Sequence, residues 1–208
     1  MRKLLLTALL ATVAFPAFAT PNWNIDPKTS RLSWTARFNM QSVSGQFDKW
    51  TGAILFDPDH LEASSIKISV DLTSVNSNDA NRDSTLKGPD FFNIAGNPAA
   101  TFTSTKISKT SQGYVAAGNL NLAGITKPLA VPFSVTINGG KAASSGVFKM
   151  SRSAFAIGKG QWNATQSIAD LTVRNPPADP VNGIGDIVEV RFTLNADMGP
   201  PPAQPAAH

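Results

Sequence analysis

The chain has 208 residues, no cysteine and two histidines, and its 18 basic and 14 acidic side chains give a formal charge of +4. Zero cysteine excludes disulfides, thiol catalysis and cysteine-based metal sites, and a small, evenly spread positive charge argues against nucleic acid as a partner. His208 ends the chain and His60 falls in the turn Asp57-Pro58-Asp59-His60, so neither a His-rich metal site nor a Ser-His-Asp triad is readily built.

In chain order, the first element reads as an export signal. Arg2 and Lys3 precede an apolar stretch, Leu4 to Phe15, and Ala17-Phe18-Ala19 has the form of a small-x-small cleavage site. The stretch is short for a bilayer span, which takes about 20 residues. The expectation is cleavage after Ala19, a periplasmic location, and a mature chain of 189 residues whose charge falls to +2 with the loss of Arg2 and Lys3. Residues 20–198 are expected to form one domain. Gly199 to His208 is a Pro/Ala tail without periodicity, expected to be disordered.

Alternation of apolar and polar residues then marks strand after strand. Leu32, Trp34, Ala36, Phe38 and Met40 share one face. Gln46 to Phe56 starts with Phe47 inward and then changes phase, so that Trp50, Gly52, Ile54 and Phe56 fall together; a β-bulge, with Gly52 easing the bend, would produce that shift. Ile66, Ile68, Val70 and Leu72 give the next face. Asn81 to Phe92 is the best helical candidate, with room for a turn or two before Pro89. Thr101 to Ser108 carries Phe102, and Tyr114, Ala116, Gly118, Leu120 and Leu122 form a further face. Leu129, Val131, Phe133, Val135 and Ile137 follow, then Asn138-Gly139-Gly140, a strong hairpin turn signal. Ala142 to Met150 aligns Ser144, Gly146, Phe148 and Met150, and Val188, Val190, Phe192, Leu194 and Ala196 close the series.

About eight strands of roughly 8 to 11 residues, mostly with hairpin-length connections, predict an all-β, antiparallel barrel or sandwich. The inward faces mix large aromatics with Ala36, Gly45, Gly52, Ala116, Gly118 and Gly146. Such a mixture either leaves a tunnel lined by aromatics or fills the interior completely. The pattern alone leaves both open.

Three blocks carry a family resemblance. The first is Trp34-Thr35-Ala36-Arg37-Phe38 with Val43-Ser44-Gly45-Gln46-Phe47, Trp50-Thr51-Gly52 and Phe56-Asp57-Pro58. The second is Asn81-Arg82-Asp83 with Leu86, Pro89-Asp90-Phe91-Phe92, and Asn97-Pro98 before Thr101-Phe102. The third runs from Gly118 to Pro128, with Ser151 to Gly158 and Gly185 to Val190 as later pieces. Together they resemble the YceI-like family of secreted bacterial proteins, over roughly Asn22 to Ala196. The resemblance implies an extended, eight-stranded, antiparallel lipocalin-like barrel whose apolar pore holds polyisoprenoids, isoprenoid quinones, polyprenyl phosphates or other long chains. It implies no cofactor beyond such a lipid, and transient membrane contact; several members are dimers, which leaves monomer and homodimer both open. Members are not known as enzymes.

On that basis the expected lining is Trp34, Phe38, Phe47, Phe56, Phe133, Phe148 and Phe192, with Phe91 and Phe92 plugging or gating one end. Arg82 is a head-group candidate because a guanidinium suits phosphate; the competing role is a structural ion pair with Asp83 or Asp90, and it weighs more because an Asp adjoins it. Trp162 is the other head-group candidate, expected over the rim or in plain packing; Lys127 is expected in a solvated turn and Arg174 to Pro180 in a rim loop. Phe38, Thr85 and Ala123 stand where family members often carry histidine, which makes the interior more apolar. Two rival functions remain: an interaction or stress-response module with a filled barrel, and an enzyme that would have to rely on Asp83, Asp90, Arg82 or Tyr114.

Overall fold

A computed structural model describes residues 20–39, 41–159, 162 and 183–200. The export signal, Met40, the loop at 174–180 and residues 201–208 lie outside the described residues. Eleven strands form one sheet: β1 (Asn22–Ile25), β2 (Arg31–Phe38), β3 (Gln41–Phe47), β4 (Trp50–Leu55), β5 (Ser65–Asp71), β6 (Val75–Asn76), β7 (Ala99–Thr110), β8 (Gly113–Leu122), β9 (Ile125–Asn138), β10 (Lys141–Ser151) and β11 (Ile187–Gly199). Among the described residues one α-helix, α1 (Ala80–Lys87), joins β6 to β7.

The strands make eight staves of a closed antiparallel barrel. β1, β4, β5, β7, β8, β9, β10 and β11 pair in that order, and β11 returns to β1. β2, β3 and β6 continue three of these staves: the upper part of β11 pairs with β2 (Val190 opposite Trp34) while its end pairs with β1 (Ala196 opposite Ile25). Three staves are therefore broken at mid-height. The phase change read in Gln46–Phe56 is one of these breaks. Asp48 and Lys49 leave the ladder between β3 and β4, and no bulge is needed. Gly52 serves packing, since a Cβ there would come within 2.6 Å of Ile25 Cδ1 and 2.9 Å of Ile68 Cδ1. A register shift does occur, unforeseen, at Thr105 between β7 and β8.

Local chemistry sets the boundaries. The Asp79 carboxylate accepts from the backbone N–H groups of Asn81 and Arg82, both at 3.0 Å, and so caps α1. Gly88 and Pro89 then end it. Gly139 and Gly140 take φ +57° and +80°, the left-handed pair that a two-residue hairpin between β9 and β10 requires. Gly199, grouped with the tail above, instead pairs with Asn22 at the end of β11.

Two apolar clusters occupy the barrel. One centres on Trp23, Phe56, Phe102, Phe133 and Leu194. The other gathers Trp34, Leu72, Phe91, Phe92 and Phe155 beside α1 and the 151–158 turn.

Candidate functional site: an apolar tunnel

Alternation turns every second side chain of each stave inward, and the result is a cavity of ≈ 520 Å³ running between the two clusters. Its size is within the usual range of small-molecule sites, about 300–1,000 Å³. Every inward residue read from β11, Val188 through Ala196, faces it. Those eight residue steps span about 26 Å of strand at ~3.3 Å each, so the cavity is elongated.

The two ends differ. Among the described lining residues, only Arg37, Phe38, Asp79 and Thr85 are exposed, and all four belong to the α1 end. That end is the mouth. At the other, Trp23, Ile54, Phe56, Phe133, Ala142, Leu194 and Ala196 are buried. Phe56 meets Tyr114 edge-on at 5.2 Å and Phe133 at 5.8 Å, while Tyr114 stacks on Phe133 at 5.5 Å. The Trp23 indole N–H donates to the Phe56 carbonyl at 2.9 Å and holds the floor together.

All nine expected lining residues border this one cavity, as do Arg82 and Trp162. Trp34, Phe47, Phe148 and Phe192 form the wall. Phe91 and Phe92 are buried at the α1 end, where Phe47 packs on Phe92 at 5.9 Å. Trp162 lies between Phe91 at 5.8 Å and Phe38 at 6.3 Å, so it belongs to the aromatic frame of the mouth. Ile137 departs from the expected face: it is 36% exposed and lies beyond the cavity. Lys127 is in strand β9, exposed, and not in a turn.

The partners expected for Arg82 are corrected. Its Nε donates to Ser77 Oγ at 2.8 Å and its Nη2 to the Ser77 carbonyl at 2.7 Å, and the nearest carboxylate is Asp79, at 3.9 Å. Asp83 instead accepts from the Ser77 N–H and hydroxyl. Asp90 uses its backbone carbonyl to accept from Gly158 and Lys159. Ser77 takes two of the five Arg82 donors, and the residue borders the mouth.

In the sequence Arg152 has no role beyond its place in the Ser151–Gly158 piece of the family resemblance, yet it is the most buried cation of the site, 2% exposed. Its guanidinium donates to the carbonyls of Gly185, Ile157, Gly158, Trp162 and Ile184, at 2.7 to 3.2 Å. Five bonds use all five donors. Arg152 thus ties the 152–158 turn to the entry of β11 and has no donor left for a ligand. Burial pushes its pKa down, opposed by the nearby Asp186 charge. Asp186 accepts from the Ser153 N–H at 3.0 Å through Oδ1, while its Oδ2 and the Trp34 indole nitrogen are buried without a partner among the described residues. No sequence signal short of the pairing of the two motifs across 33 residues would have located this knot.

A family model for the YceI-like domain matches residues 23–196. The chain belongs to the YceI-like family. Its YceI-like fold matches a crystal structure of BcnA from Burkholderia cenocepacia, 27% identical, covering 83% of this chain and 99% of that one with a TM-score of 0.70. A YCEI protein of Campylobacter jejuni, 20% identical, covers 96% and 100% with a TM-score of 0.60. A polyisoprenoid binding domain from Saccharophagus degradans, 16% identical, covers 87% and 99% with a TM-score of 0.61. Among curated sequences, a UPF0312 protein of Yersinia enterocolitica is 37% identical over 95 residues, 46% of this chain and 50% of that protein. The YceI-like chain thus aligns with about half the length of the curated relatives it matches.

Proposed function

We propose that this protein is exported to the periplasm and carries or stores a long apolar lipid, of the polyisoprenoid or isoprenoid-quinone type, in its barrel without catalysing a reaction. The observation that supports this most is the elongated cavity with an apolar wall, floored at one end and open at the other. Membership of the YceI-like family agrees with it, and a domain of the same fold is described as binding polyisoprenoid. A barrel filled by its own side chains, the rival reading, would not leave that volume.

The energetics suit a carrier. Each buried methylene is worth about 0.8 kcal/mol relative to water, so tens of carbons would pass the affinity ceiling of about 20 kcal/mol if the lipid came from water. It comes from a bilayer, where the hydrophobic terms nearly cancel. Loading is then reversible, and selectivity falls to the shape of the wall and to the polar groups at the mouth, Arg37, Asp79, Arg82 and Thr85. The test is organic extraction of the purified protein followed by mass spectrometry. A reproducible long-chain isoprenoid is expected; an empty extract from folded protein made in a host rich in such lipids would refute the reading.

A further inference from the structure

The barrel wall is not equally sewn all round. β9 and β10 leave their turn properly paired, from Asn138 opposite Lys141 to Ser134 opposite Ser145, and there the pairing stops. Among the described residues, β9 from that point pairs only with β8 and β10 only with β11, down to Leu122 opposite Ile125 and Ser151 opposite Ile187. β8 and β11 keep neighbours on both sides over most of their length, whereas β7 meets the shorter β5 over five pairs, from Ala99 to Thr103.

The cause is in β9. Ser134 turns its carbonyl toward β10, where it accepts from Ser144 Oγ at 2.8 Å. The Pro132 carbonyl also points there: a Cβ on Gly146 would lie 2.4 Å from it. Alternation therefore directs the backbone groups of Pro128, Ala130, Pro132 and Ser134 toward β10. Beyond Ser134, two of the next three donors are proline nitrogens, which carry no hydrogen. A proline facing a neighbour in mid-sheet is excluded unless that edge is unpaired. Both prolines face the seam. Lys127 agrees, since it has the inward phase of Leu129 and Val131 but is exposed.

Along the seam the cavity is bordered by Leu129 and Val131 on one side and Phe148 and Met150 on the other. The outer surface beside it carries Pro128, Ala130, Pro132 and Val147, with Lys149 the one charge among these outward positions. We infer that the β9–β10 seam parts to admit the hydrocarbon chain sideways into the tunnel, directly from a lipid bilayer. This rests on the lipid-carrier reading and deepens it by naming the route. The physical advantage is large. A chain threaded end-first through the mouth would leave the bilayer methylene by methylene into water, at about 0.8 kcal/mol each, whereas a lengthwise slot lets it pass from one apolar phase to the other without that exposure.

The absence of native cysteine makes a clean test. Ala130→Cys with Lys149→Cys would staple the seam, and Thr136→Cys with Ala143→Cys would staple the paired part of the same two strands. A third variant, Pro128→Thr with Pro132→Val, restores both donors without a crosslink. Transfer of tritiated solanesol, a long polyprenol, is followed from phosphatidylcholine vesicles to protein and back, with equilibrium loading measured separately. The seam staple should slow transfer in both directions by about tenfold or more, equivalent to 1.4 kcal/mol of barrier, with loading at equilibrium unchanged and the rate recovered on reduction. The restored ladder should slow transfer in the same sense, and the control staple should not. If the seam staple forms and transfer keeps the control rate, or if the restored ladder leaves it unchanged, the route is the mouth and the inference fails. No loading of any variant, wild type included, would refute the carrier reading itself.

Discussion

The floor of the barrel and its mouth are built from the same residue types and held by different forces. At the floor, Phe56, Tyr114 and Phe133 pack ring on ring, and the buried Trp23 indole is satisfied by a backbone carbonyl. At the mouth, Phe38, Phe91 and Trp162 also touch, but the loops beside them, and Trp162 itself, are secured by a buried cation, Arg152, reaching five carbonyls. An aromatic cluster can close a barrel with little polar help, here one indole–carbonyl bond, when strands position it. Loops need a donor hub, because their carbonyls have no ladder to enter.

The largest expected effect follows at the mouth. Arg152→Met would strand those carbonyls and leave the buried Asp186 without its counter-charge, a loss of about 3–5 kcal/mol by analogy with broken buried pairs. Urea denaturation should show it as a lower midpoint. An unchanged midpoint would mean that the loops hold without the cation, and the contrast between the two ends would collapse. Phe133→Ala comes next, at about 3 kcal/mol, the low end for a buried Phe because one side of this ring already faces the cavity. Phe38→Ala should cost about 1 kcal/mol or less, since Phe38 is 38% exposed. Loss of bound lipid from this variant should nonetheless be faster. If Phe38→Ala were as destabilising as Phe133→Ala, the mouth would be a second floor.

The same contrast explains what could be read in advance. The staves and their lining were legible because a strand writes its inner face at every second position, and the aromatics at 34, 38, 47, 56, 133, 148 and 192 obey that period. The helix was legible through Pro89, which stops it locally, while its cap, Asp79, was not singled out and its span, Ala80–Lys87, is shorter than the stretch from Asn81 to Phe92. Features that depend on which strand lies alongside were not legible. Gly52 looks like a bend until Ile25 and Ile68 are seen against it. Adjacency suggested Asp83 for Arg82, but the turn before α1 delivers Ser77 instead. Arg152 needs Ile184 and Gly185 from a distant segment, and the prolines of β9 acquire meaning only once their nitrogens are known to face β10.

The smallest effect belongs to the floor's outer turn and sharpens the comparison by pH. His60 follows Phe56 by four residues, and its Nδ1 lies 3.0 Å from Asp57 Oδ2. The hydrogen bond to Asp57, then its charge, raises the His60 pKa above its ordinary 6.5. The native chain therefore holds that proton more tightly than the unfolded chain does. The resulting stabilisation is complete below the unfolded value and disappears as pH rises through the raised native one. Asp57 works in the opposite sense: the Asp59 backbone N–H, then His60, depress its pKa below 3.8, so its contribution is present above that value and is lost as pH falls through the native one. The pair is exposed, so the effect is small. In a His208→Gln background, an NMR titration of the one remaining imidazole should give a midpoint above 6.5 that falls back on Asp57→Asn. An unmoved midpoint would remove Asp57 as the cause. Lipid retention should stay level across the same pH range, because this turn lies outside the tunnel and the mouth has no histidine among its described residues.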